Sequence, residues 1–137
     1  AGLSEADLHK LSTATGLMAR VSRVDPSSST EELNVIAQAL QSYWSISAEV
    51  ARIAAEATLS GISLDTDPLR LAQEMLDITA EEERTRFMDV LFAVAAADGF
   101  VSQDEMSEIG SIASWLYLPR KTFIAAKVKI PAEQRAE

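Results

Sequence analysis

Apolar side chains recur along this chain at three- and four-residue spacing and seldom alternate, so the pattern predicts helices and not strands. Leu33, Ile36, Ala37 and Leu40 form one such stripe, and Met106, Ile109, Ile112, Ala113 and Leu116 form another, each a face for a shared core. The helix starts are marked. Ser4 with Asp7, Ser29 with Glu32, Thr79 with Glu82 and Ser102 with Glu105 each set a hydroxyl three residues ahead of an acid, the arrangement of a capping box. Ser47 is placed to cap a helix carrying Val50, Ile53, Ala54 and Ala57, and Asp67-Pro68 puts an acid at the cap with proline at the first helical position. Leu118-Pro119 opens a last helix, expected to turn Phe123, Ile124 and Val128 inward and to show Arg120, Lys121, Lys127 and Lys129 to solvent, an acidic partner or an anionic membrane surface being the other use for that charge. The reading is an all-α fold: a compact single-domain bundle of about seven helices over 1–137.

An internal repeat lies beneath this pattern. A shift of 73 positions lays Met18 to Asp25 over Leu91 to Asp98, Ser29 over Ser102, Glu32 over Glu105, Leu33 over Met106 and Ile36 over Ile109. Each copy reads as an apolar helix ending in aspartate, a short turn, then a serine-capped helix with an acid seven residues after that aspartate. Two related helix–loop–helix units, roughly 8–59 and 80–129, are implied.

Composition narrows the chemistry. No cysteine is present, which removes disulfides, thiolate metal sites and cysteine nucleophiles, and the one histidine, His9, rules out any histidine-rich metal site. The longest apolar run, Val90 to Ala97, is far short of the ~18 residues of a membrane span, so the expectation is a cytoplasmic protein that is not an integral membrane protein. Net charge is −9, the wrong sign for nucleic acid. That charge is centred: residues 25–108 hold seventeen acids against four bases, a net of −13, while 1–24 sum to +1 and 109–137 to +3.

Part of the excess sits in the repeated turn. Asp98-Gly99-Phe100-Val101-Ser102-Gln103-Asp104-Glu105 looks like the latter half of a calcium loop, but Val94 and Ala96 occupy positions where earlier oxygen ligands would stand, so a complete EF-hand is excluded. Two accounts of the acids stay open. In one, Asp98-Gly99 ends a helix with glycine left-handed, Val101 plugs the core, and Ser102 with Glu105 caps the next helix. In the other, Asp98, Glu105, Asp25 and Glu32 converge as a hard, oxygen-rich cation site. Tyr43-Trp44 and Trp115-Leu116-Tyr117 fall at nearly matching repeat positions, as packing groups or as the wall of a ligand groove. Glu81-Glu82-Glu83 reads as an acidic first helical turn.

The stretch from Phe87 through Ala-Asp-Gly at 97–99 to Trp115-Leu116, with its upstream copy, resembles the TerB-like family of tellurite-resistance proteins from about Leu8 to about Ala126. The resemblance implies an all-helical, seven-helix, cytoplasmic module without established enzymatic activity, associated with tellurite and other chemical stress. It also implies a metal ion held by the acids of the two motifs, which carry over to Asp98 and Glu105 in the second and Asp25 and Glu32 in the first. The first departs from the pattern, since Pro26 replaces the glycine and Ser28 the apolar plug. The expected function is therefore a non-enzymatic stress-response module binding a divalent cation, Ca, Mg or Mn sooner than Zn, with an unknown protein partner, in a stress-response or membrane-associated complex. The alternatives are a metal-independent interaction scaffold with an acidic face and, behind it, a carboxylate–metal hydrolase.

Overall fold

The computed structural model describes residues 4–23, 30–44, 46–60 and 67–136, and among these it contains seven α-helices and no strand. They are α1 (Glu5–Arg23), α2 (Thr30–Tyr43), α3 (Ala48–Ser60), α4 (Pro68–Ile78), α5 (Glu81–Ala95), α6 (Gln103–Trp115) and α7 (Arg120–Lys127), with 3-10 turns at Ala96–Asp98 and Ala132–Gln134. The fold is all-α, as the spacing predicts.

Local chemistry sets most helix starts. Ser4 Oγ accepts the Asp7 N–H at 3.1 Å, Ser47 Oγ accepts the Val50 N–H at 3.1 Å, and Asp67 Oδ1 accepts the Leu69 N–H at 3.0 Å with Pro68 as the first helical residue. The cap expected at Ser29 lies outside the described residues. The cap expected at Thr79 is displaced by one residue. Thr79 ends α4, where its hydroxyl donates to the Met75 carbonyl, and the Arg84 guanidinium donates to the Thr79 carbonyl at 2.7 Å. Helix α5 then starts from Ala80, whose N–H donates to Glu83 Oε1 at 3.1 Å, so only the acid half of a capping box forms, with Glu83 in the place expected for Glu82.

Helix α1 is the hub, packing against α3, α4, α5 and α6. Every residue from Thr13 to Ala19 is buried, so this stretch has no solvent face. Two devices permit that. Thr13 and Thr15 donate their hydroxyls to the carbonyls of His9 and Leu11, at 2.9 and 2.8 Å, which satisfies them without water. Gly16 lets α4 approach so closely that a Cβ there would lie 2.7 Å from a Leu71 methyl. Around this hub, Phe87, Leu91 and Phe92 of α5, Ile36 and Leu40 of α2, and Ile109 and Ile112 of α6 complete one apolar core. Trp44 stacks on Phe87 with ring centroids 5.8 Å apart, which makes it a packing group.

Two expectations about orientation are corrected. In α7 only Phe123 and Ala126 turn inward, while Ile124 and Val128 are exposed. Tyr117 is not packed at all: it is 82% exposed. It closes α6 as a left-handed residue with φ of 55°, its N–H reaching the Ser114 carbonyl and the Leu118 N–H reaching the Ala113 carbonyl, both at 3.0 Å. That pair of bonds is a Schellman motif, with tyrosine where glycine is usual.

Candidate functional site

The acidic turn between α5 and α6 is built from short-range chemistry. The apolar residues of α5 bury against α1 and α2, and the helix tightens into the Ala96–Asp98 turn. Gly99 follows at φ of 101°, which a left-handed turn requires and an L side chain resists, and its N–H donates to the Ala96 carbonyl at 2.8 Å. Asp98 is exposed, and its Oδ1 accepts the Phe100 N–H at 3.1 Å, closing an Asx turn. Val101 is wholly buried and anchors the turn on the core.

A full capping box then opens α6. Ser102 Oγ accepts the Glu105 N–H at 3.1 Å, and Glu105 Oε1 accepts the Ser102 N–H at 2.8 Å. Glu105 is only 3% exposed, which sets it apart from Glu83, the half-buried acid in the equivalent position of α5. A contact absent from the sequence pattern braces the turn from outside. The C-terminal segment runs past it so that the Val101 N–H donates to the Gln134 carbonyl and the Ala136 N–H to the Val101 carbonyl, both at 2.8 Å. Nothing in local composition marks residues 134–136 for this role, because the pairing uses backbone groups alone.

Of the first motif, Asp25 lies outside the described residues. Glu32 is half-buried in the first turn of α2, and α2 packs against the Ala96–Asp98 turn, so the elements carrying Glu32 and Asp98 are neighbours. Among the described residues, no three His, Cys, Asp or Glu side chains come together as a metal-binding group. Sequence reasoning also passed over Arg20. Its Nε lies 3.5 Å from Glu108 Oε2, a cation from α1 set against the motif helix α6. His9 sits elsewhere, 3.0 Å from Glu74 on α4.

Among the described residues, an open groove of about 430 Å³ lies between α5 and α7 and includes Asp89, Lys121 and Lys129, and another of about 500 Å³ lies between α2 and α3 and includes Leu33, Gln38, Glu49 and Arg52. Neither is lined by Glu32, Asp98 or Glu105. No helix among the described residues is long and apolar enough to cross a membrane.

A family model described as tellurite resistance protein TerB matches residues 11–128. No curated protein and no solved structure gives a significant match. The matched stretch runs from within α1 to the end of α7 and takes in both acidic motifs, so the chain belongs to the TerB family of tellurite resistance proteins.

Proposed function

We propose that this domain is a non-enzymatic module of the cellular response to tellurite and related chemical stress, and that it holds a divalent cation where its two acidic motifs meet. The observation that carries this reading is the packing of α2 against the turn that ends in Asp98, which sets an acid of one motif on the element next to an acid of the other. Asp98 and Glu32 would be the ligands, with the buried Glu105 adding negative charge behind the turn. The donor set is all carboxylate, which suits Mg, Ca or Mn; zinc prefers the thiolates and imidazoles that this turn lacks. Magnesium keeps several waters and needs only one or two carboxylates, so two protein ligands suffice. A bound cation would neutralise part of the central charge and tie the two halves together. In this reading the module acts in the cytoplasm with a protein partner.

Calorimetric titration of the whole chain with calcium, magnesium, manganese and zinc tests the cation. Binding should appear for the hard ions and be lost in Asp98→Asn combined with Glu32→Gln, which removes the charge of both proposed ligands. No binding at millimolar ion in the parent protein would sink the reading.

One observation favours a second function. Asp98 Oδ1 and Glu105 Oε1 already accept backbone N–H groups, so capping gives both acids a role without a metal. The domain would then be a metal-independent scaffold presenting an acidic face to a basic partner. Its association should weaken with salt and ignore chelator, whereas a cation-dependent complex would fall apart on chelation.

A further inference from the structure

Helix α7 presents an outward apolar ridge. Phe123 and Ala126 face the core; on the opposite side Ile124, 37% exposed, and Val128, 58% exposed, stand one helical turn apart. At about 100° per residue, Lys121 and Ala125 share that outer face, Arg120 and Lys127 fall on one flank, and Lys129 falls on the other. The ridge therefore carries Lys121 on its face and Arg120 and Lys127 on one flank, Arg120 lying over the Phe123 ring, while Lys129 on the other flank is paired with Asp89. The groove between α5 and α7, lined in part by Thr85, Thr122, Lys121 and Lys129, runs beside it, with Asp89 pairing with Lys129 at 2.8 Å. Where the chain enters α7 stands Tyr117, held in a left-handed conformation that glycine would adopt without strain. Its ring is 82% exposed, so packing in the core does not offset that strain.

We propose that α7 and the Tyr117 turn dock this domain on an anionic lipid surface. Ile124 and Val128 enter the boundary between headgroups and acyl chains. The flanking lysine and arginine stems lie along that boundary with their charges at headgroup level, and the Tyr117 phenol sits at the same depth. Donors of the α5–α7 groove face the lipid phosphates. Charge complementarity selects this occupant. A plane of anions matches the Lys121, Arg120 and Lys127 cations set on and beside a convex ridge, while a second copy meeting it face to face would press those like charges together. Asp89, the acid in the α5–α7 groove, is paired with Lys129, and exposed charges beyond about 8 Å are largely screened at physiological salt.

Co-sedimentation of the whole chain with phosphatidylglycerol-containing vesicles, against phosphatidylcholine vesicles alone, tests the proposal. Binding is expected to the anionic vesicles only, weakening with salt and falling roughly fivefold for each cation removed in Lys121→Gln or Lys127→Gln. Ile124→Gln with Val128→Gln leaves the charge unchanged and should weaken binding by itself. Thermal melting checks that these surface variants stay folded. Absence of binding to anionic vesicles, equal binding to neutral ones, or indifference to the ridge substitutions would overturn the proposal. Binding to polyglutamate with none to vesicles would overturn it in favour of an acidic protein.

Discussion

Tyr117 is the position where the fold gives up stability most visibly, and replacing it should return some. At φ of 55° its Cβ crowds the following carbonyl, a strain of roughly 1–2 kcal/mol for an L residue that glycine does not bear. Against that gain stands the greater freedom that glycine loses on folding, about 0.5–1 kcal/mol. Little burial is lost, since the side chain is 82% exposed. Tyr117→Gly should therefore stabilise the domain by about 0.5–1 kcal/mol, a rise in melting temperature of about 2–4 °C. Tyr117→Ala removes the same ring but keeps the strained φ, and it should leave stability within about 0.5 kcal/mol of the parent. Urea denaturation followed by circular dichroism, with unchanged m-values, would measure all three proteins. A glycine variant no more stable than the alanine variant would refute the strain argument, because only the backbone conformation distinguishes the two.

Two further outcomes follow from the caps and ion pairs. Ser102→Ala removes the oxygen that accepts the Glu105 N–H and should cost about 1 kcal/mol, while Ser102→Thr keeps an acceptor and should recover most of it; equal losses in the two variants would deny the hydroxyl its role. Glu83 provides a pH test. Burial pushes its carboxyl up, but the hydrogen bond from Lys10 Nζ at 2.7 Å, the Ala80 N–H and the charges of Lys10 and Arg86 outweigh this and hold it below the ordinary value. A carboxyl depressed in the folded state contributes stability above its unfolded pKa, near 4.3, and loses it as pH falls through the folded value. The stability gap between the parent and Glu83→Gln should thus be steady above about pH 6 and shrink below about pH 4, as read by melting curves; a gap unchanged in acid would exclude the ionised pair as its source.

Capping residues were legible because they act within three positions of themselves. Ser4, Ser47, Asp67 and Ser102 bind N–H groups two or three residues ahead, and no tertiary contact is needed to place them. The candidate turn was legible for the same reason: Asp98, Gly99, Ser102 and Glu105 make hydrogen bonds within three residues of themselves, around the buried anchor Val101. Thr79 shows the limit. Its hydroxyl can serve either the helix it follows or the helix it precedes, and the contest goes to α4, with Arg84 donating to the same residue. Ile124 and Val128 show a second limit. Apolar spacing states that a face exists, but α7 packs through Phe123 and Ala126 alone, and a short helix at the edge of the bundle leaves the rest uncovered.

By itself the sequence determined the helical class, the positions of most helix starts, the duplicated acid–turn–acid unit and the family to which it belongs. These rest on short-range periodicity, on caps and on motif spacing, all of which are written within a few residues. Tertiary structure alone decided that α1 would be buried from Thr13 to Ala19, that the elements carrying Glu32 and Asp98 would abut, and that residues 134–136 would brace Val101. Those outcomes depend on which helices meet and on backbone groups that every residue carries, so no local pattern encodes them. The same holds for the outward ridge of α7, which is apolar in sequence and becomes a surface only because the core is filled without it.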